Sequence, residues 1–166
     1  MSEPILEMKN ISKNFGSVIA LKNVDLEVYP GEIRGLIGEN GSGKSTISSI
    51  AAGMQKATSG RMTFKKQSWE PVSMIDALQN GIGMVVQESG TISGVTVAEN
   101  IFLGDKSTQV HGLVNWAAMY RRAQELVDSI GGTFSVQEKV QALSVQDQQM
   151  VEIVKALAAN AEVLIM

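Results

Sequence analysis

Residues 38–46 read Gly-Glu-Asn-Gly-Ser-Gly-Lys-Ser-Thr. The spacing satisfies G-x-x-x-x-G-K-[ST], the pattern of a phosphate-binding loop. Glycines let the backbone curl until successive N–H groups point inward at phosphate oxygens. A helix that follows directs its first N–H groups and its dipole at the same anion. Lys44 would neutralise the β- and γ-phosphates, the Ser45 hydroxyl would ligate Mg²⁺, and Thr46 would add a hydroxyl near the α-phosphate. The flanking residues agree with this reading. Residues 33–37 form a short apolar run after the turn signal Pro30-Gly31, and predict a buried strand. Residues 45–52 are small and apolar, with helical spacing at Ile47, Ile50 and Ala51. The order is strand, glycine loop, helix.

Outward from the loop, Val24, Leu26 and Val28 alternate with Asp25 and Glu27, as in a half-buried strand. Residues 5–11 alternate only weakly. Residues 60–64 and 82–86 read as strands, the latter running into the polar Gln87. Residues 74–78 read as a short helix stopped by Asn80-Gly81. Strands separated by helices point to an α/β fold with parallel strands. The chain then turns helical. Residues 96–103 are one candidate. Asn115 can cap a helix whose buried stripe is Trp116, Met119, Tyr120, Ala123, Val127 and Ile130. Ser144 can cap another through Asp147, an arrangement close to a capping box. Its stripe is Met150, Val151, Val154, Leu157 and Ala158. Residues 163–166 are a β-type apolar run.

Composition removes several classes of function. The chain has 166 residues, 44% hydrophobic and 19% charged, with a net charge of −3. That is enough for about one domain. The acidic balance argues against a partner held by bulk positive charge, so no nucleic acid is expected. The absence of cysteine excludes disulfides and thiolate zinc sites. No apolar run approaches 18 residues, and the start MSEPILEMKN does not read as a signal peptide. The expectation is a soluble cytoplasmic protein. His111, the only histidine, reads as a solvated loop residue.

Three further stretches narrow the class. Gln87 ends an apolar strand downstream of the glycine loop. Leu143-Ser144-Val145-Gln146-Asp147 opens a long helix. Phe15, followed by Gly16, sits in a turn well before the loop. Together with GENGSGKST they resemble the ATP-binding-cassette (ABC) transporter ATPase domain over nearly the whole chain. The wording of residues 96–104, 115–123 and 143–157 is most similar to the carbohydrate-importer group, of the ribose and galactose type. It looks like the N-terminal of two cassettes in one polypeptide.

The resemblance implies a P-loop nucleoside triphosphate hydrolase fold of the ABC type. Residues 1–87 would form an antiparallel β-subdomain and P-loop core, 88–160 a helical subdomain, and 161–166 the start of the Walker B strand. Gly38, Glu39, Asn40, Gly41, Ser42, Gly43, Lys44, Ser45 and Thr46 would bind ATP, with Phe15 stacked on adenine. Lys44 and Gln87 would be catalytic, and Ser45 and Gln87 would hold Mg²⁺. Leu143, Ser144, Val145, Gln146 and Asp147 would form the signature that contacts ATP on a second cassette. Taken alone, the residues leave plainer roles open: a core aromatic for Phe15, a helix cap for Ser144, a surface amide for Gln87. The remaining partners implied are membrane permease subunits and, indirectly, a solute-binding protein. The protein would then lie on the inner face of the cell membrane, coupling ATP hydrolysis to uptake of a small solute, a sugar.

Two departures stand out. The signature carries Val145 and Gln146 where glycines are usual, and a side chain at Gln146 obstructs close approach of a phosphate. The Walker B aspartate and the catalytic glutamate, which follow the last strand in the family, are not within these residues. A fragment without hydrolysis of its own is therefore expected. The alternatives are a non-catalytic nucleotide-binding or regulatory ABC module, or a soluble non-transport ABC ATPase.

Overall fold

A computed structural model describes residues 3–85, 91–104, 109–110 and 113–166, with 109–110 described by backbone alone. The chain folds as two compact units, Met1–Gly83 with Ile165, and Met84–Leu164 with Met166.

The first unit is organised by a four-stranded antiparallel sheet of order β2-β1-β3-β4. Its strands are β1 (Leu6–Phe15), β2 (Val18–Val28), β3 (Ser59–Phe64) and β4 (Gln67–Ser68). The weak alternation of residues 5–11 has a structural cause. Leu6, Met8 and Ile11 are all buried, which a period of two cannot deliver. Asn10 takes φ 54°, its N–H donates to Asp25 Oδ1 at 2.6 Å, and the pairing shifts between Met8 and Ile11. One extra residue resets which side chains face inward. β1 and β2 meet at a tight turn where Phe15 pairs with Val18 and Gly16 takes φ 58°.

Helix α1 (Lys44–Ala51) follows the glycine loop and buries Ile47, Ser49, Ile50 and Ala51. Its end is tied to the residue after β4 by Trp69, whose Nε1 donates to the Ala51 carbonyl at 3.0 Å. The Trp69 ring lies 5.3 Å from that of Phe64. Helix α2 (Met74–Gln79) is capped by the Ser73 side chain and stops at Asn80, with strand β5 (Ile82–Met84) beyond.

One expectation fails here. Residues 33–37 form no strand, and Ile33 and Ile37 are 100% and 98% exposed. An apolar run between turn signals states that a segment can be buried. Among the described residues nothing covers Ile33 and Ile37.

The second unit packs helix α3 (Val97–Ile101), α4 (Trp116–Ser129) and α5 (Val145–Ala158) around one apolar cluster. Val97, Ile101, Met119, Ala123, Val127, Val151 and Val154 belong to it. Each fully buried large aliphatic side chain contributes about 1.5–3 kcal/mol. Thr96 and Glu99 form a capping box at the start of α3. The Thr96 N–H holds the Glu99 carboxyl below its ordinary range. Asn100, fully buried, has its amide satisfied by the Ile92 backbone and the Thr96 carbonyl. Asn115 caps α4, accepting from Ala118 N at 3.1 Å. A 3-10 turn at Val140–Ala142 and the short strands β6 (Gln109–Val110) and β7 (Leu113–Val114) belong to the second unit, and strand β8 (Val163–Ile165) ends on Ile165 of the first.

The stripe expected on α4 is corrected at its first member. Met119, Ala123 and Val127 are buried, but Trp116 is half exposed. It is the first helical residue, one turn beyond the packed surface, and pairs with the Tyr120 ring at 6.2 Å.

Candidate functional site

The glycine loop ends on α1, and its geometry depends on glycine at defined points. Gly41 and Gly43 take φ 84° and 90°, a region that L side chains rarely occupy. A Cβ on Gly43 would sit 2.5 Å from Leu21 Cδ2 and 2.9 Å from the Ala20 carbonyl, so the loop presses directly on β2. A Cβ on Gly38 would sit 2.6 Å from Ser42 Oγ. The loop is thus a tight curl of bare backbone.

Gly43 is the cap residue of α1, and no side chain caps the helix. The first intrahelical bond runs from Ile47 N to Gly43 O at 2.9 Å. The N–H groups of Lys44, Ser45 and Thr46 precede it, and the first turn carries no acidic residue. Here the helix dipole meets neither a side-chain acceptor nor a negative charge. Lys44 Nζ folds back onto the Gly38 and Glu39 carbonyls, each at 2.8 Å. Those bonds hold the ammonium over the loop, and Ser45 is exposed. Bare donors, an ammonium and two hydroxyls, with no carboxylate in the helix's first turn, fit a polyphosphate.

Phe15 lies in the same unit, at the tip of the β1–β2 turn. It is 47% exposed. The loop meets β2 at Ala20–Leu21, whereas Phe15 pairs with Val18 two to three residues farther along. At about 3.3 Å per residue the ring stands roughly 7–10 Å from the point where the loop presses on the strand. One face of the ring carries the Lys13 ammonium, 5.0 Å from its centroid. Sequence reasoning missed Lys13. Its signal was the spacing of two from Phe15, which places both on one face of a strand.

In the second unit, Ser144 caps α5. Its Oγ accepts from Asp147 N at 3.1 Å and donates to Asp147 Oδ2 at 2.7 Å. Leu143 is buried, while Val145 and Gln146 are exposed. A second missed residue is Glu152, which is 9% exposed in the middle of α5. Burial pushes its carboxyl above the ordinary range, against a smaller opposing effect of Lys155. Gln87 and His111 lie outside the described residues. Among the described residues no group of three or more His, Cys, Asp or Glu could hold a metal ion. None of their helices is long and apolar enough to cross a membrane.

A glycine loop feeding an uncapped helix in a unit built on an antiparallel sheet, together with a separate helical unit in the same chain, is the make-up of a P-loop domain of the ABC cassette type. A family model described as ABC transporter matches residues 21–166, and the chain belongs to that family. The ribose import ATP-binding protein RbsA 2 of Escherichia coli O157:H7 is 45% identical over 165 residues, 99% of this chain and 32% of that protein. The D-allose import ATP-binding protein AlsA of Escherichia coli strain K12 is 40% identical, over 100% of this chain and 33% of its own length. The chain therefore spans about a third of the length of these curated relatives. Among solved structures, the ATP-binding cassette MJ1267 superposes with a TM-score of 0.82 at 27% identity, over 98% of this chain and 68% of that one. The bacterial ABC transporter cassette MJ0796, described as dimeric, gives 0.80 at 28% identity, over 96% and 72%.

Proposed function

We propose that the chain is the ATP-binding part of an ABC importer that takes up a small sugar. The observation that carries this reading is the loop ending at Gly43: a left-handed cap without a side chain, three leading N–H groups, and Lys44 poised over the curl. Residues 38–46 bind the triphosphate. Lys44 exchanges its two carbonyl contacts for β- and γ-phosphate oxygens, a charge-assisted bond stronger than a neutral one. Ser45 offers its hydroxyl to Mg²⁺ and Gln87 is its expected second protein ligand. The metal, when bound, neutralises charge on the phosphates. Phe15 offers its free face to adenine.

Hydrolysis belongs to the assembled transporter. Residues 143–147 of one cassette face the ATP held by another, so each site is completed in trans. Permease subunits supply the path across the membrane, a solute-binding protein supplies specificity, and the cassette works at the cytoplasmic face. A sugar cargo is supported by the relatives named for ribose and allose import.

The test is calorimetric titration of the full-length protein with ATP and Mg²⁺, paired with uptake of labelled ribose and allose by cells carrying the whole transporter. Binding should stabilise the fold by about 2.7 kcal/mol at a hundred times the dissociation constant. Binding that Lys44→Ala leaves unchanged would remove the site assignment. Binding without uptake of either sugar would remove the cargo.

A further inference from the structure

Lys13 is held by a carbonyl and an aromatic ring, unlike the cations of the first unit that pair with carboxylates. Lys9 pairs with Glu7, Arg34 with Glu32, and Lys66 with Glu3. Lys13 has no carboxylate partner among the described residues. It is partly buried, and its Nζ donates to the Lys56 carbonyl at 2.7 Å while standing 5.0 Å from the Phe15 ring centroid. The neighbouring backbone is anchored to the same stretch. Asn14 N donates to Thr58 Oγ1 at 3.0 Å, and Thr58 N donates to the Ser12 carbonyl at 2.8 Å. The tip of the β1–β2 turn is therefore tied down on one side, and its ammonium lies against one face of the exposed ring.

We infer that Lys13 is the positioning residue of the base-binding surface: it occupies one face of Phe15 and presents the other to a purine. The inference rests on the reading of Phe15 as the stacking residue. Two physical effects follow from the arrangement. A half-exposed aromatic at a turn has rotamer freedom that stacking must remove, and the ammonium clamp removes part of it in advance. A cation on one face also draws on the ring's π electrons. The opposite face is then less negative and accepts the electron-rich adenine in an offset stack at lower electrostatic cost. Lys13 acts through Phe15 and contributes nothing to phosphate binding. In this it differs from Lys44.

The variant Lys13→Gln keeps a donor for the Lys56 carbonyl and removes the charge. In the full-length protein, titrated by calorimetry with ATP and separately with inorganic tripolyphosphate, it should weaken ATP about two- to fivefold. Tripolyphosphate affinity should not change, and this also reports that the glycine loop is intact. Lys13→Arg should retain ATP affinity, since a guanidinium also sits over an aromatic face. In a Phe15→Ala background, Lys13→Gln should cost nothing further, because coupled residues are non-additive. Equal weakening of ATP and tripolyphosphate would overturn the inference and make Lys13 a phosphate or folding residue. Unchanged ATP affinity in Lys13→Gln, with Phe15→Ala still weakening ATP, would overturn it alone. Unchanged ATP affinity in Phe15→Ala would instead remove the stacking reading on which it rests.

Discussion

The two helix N-termini proposed above to meet phosphate are built differently. At α1 the cap is Gly43, no side chain accepts from the first turn, no acid lies in it, and a lysine is its first residue. At α5 the cap is Ser144, which already accepts from Asp147 N, and Asp147 places a carboxylate in the first turn. The first end leaves three N–H groups and an uncompensated dipole. The second leaves two N–H groups and a dipole partly answered by its own acid. An end that holds an anion by itself cannot also be capped in the ordinary way. The α5 end is satisfied by its own residues, as the proposed contact with a second cassette requires, whereas the α1 end keeps its donors open, as the proposed nucleotide site requires.

The largest effect expected from this contrast is at Lys44. Lys44→Ala removes charge-assisted bonds to phosphate, each worth about 1.5–3 kcal/mol. ATP affinity should fall by about tenfold to over a hundredfold. Calorimetry on the full-length protein checks it, and an unchanged dissociation constant would break the contrast at its stronger end.

Next come the two loop glycines. Gly43→Ala forces a positive φ on alanine and drives its Cβ into Leu21 and the Ala20 carbonyl, costing about 2–3 kcal/mol of stability. Gly41 has the same backbone problem but open space around it, so Gly41→Ala should cost about 1 kcal/mol. Urea midpoints of the two variants measure the difference. Equal losses would mean that contact with β2 does not fix the loop.

At the other helix, Ser144→Ala should cost about 1 kcal/mol and Ser144→Gly only a few tenths. Amide exchange across the first turn of α5 should show the same order. A smaller effect still is expected at Glu152, whose carboxyl is held above its ordinary range by burial. The unfavourable burial of its charge is absent below the unfolded value of 4.5 and sets in as pH rises through the folded value. Glu152→Gln should therefore raise the melting temperature at pH 7 and leave it nearly unchanged at pH 4. A gain of the same size at both would show that the carboxylate charge is not the cause.

The curl of the glycine loop and the helix after it were legible because they rest on local backbone chemistry, which glycine at set positions specifies. The caps at Asn115 and Ser144 were legible for the same reason. Residues 33–37 were misread because burial is a property of what lies opposite, and an apolar run states only a capacity for it. The alternation of β1 was blurred by a bulge at Asn10, which no period-two template anticipates. Trp116 was placed in the stripe by spacing alone, although packing begins one turn later, at Met119. Lys13 was passed over because a spacing of two from Phe15 does not by itself show that the ammonium lies on the ring, and Glu152 because its burial depends on a helix's tertiary environment.

The smallest effect expected is at Gln146. It is the second residue of α5, exposed, and beside the two N–H groups that Ser144 leaves open. A non-glycine residue holds helical φ and ψ there without strain, so the helix end keeps its donors and ATP affinity should not depend on this side chain. On the proposed reading, its side chain would stand where bare backbone would close on a γ-phosphate held by another cassette. Loss of a whole donor aimed at developing charge costs about 3–4 kcal/mol of transition-state stabilisation. Obstruction of two donors that remain in place should cost well under that, and Asp147 would repel the same phosphate whether or not Gln146 is present. Gln146→Gly in the full-length transporter should thus raise ATP turnover by only about two- to threefold, with ATP affinity unchanged. Turnover that stays the same or falls would show that the α5 end accommodates Gln146. The difference between the two helix ends would then lie in Ser144 and Asp147 alone.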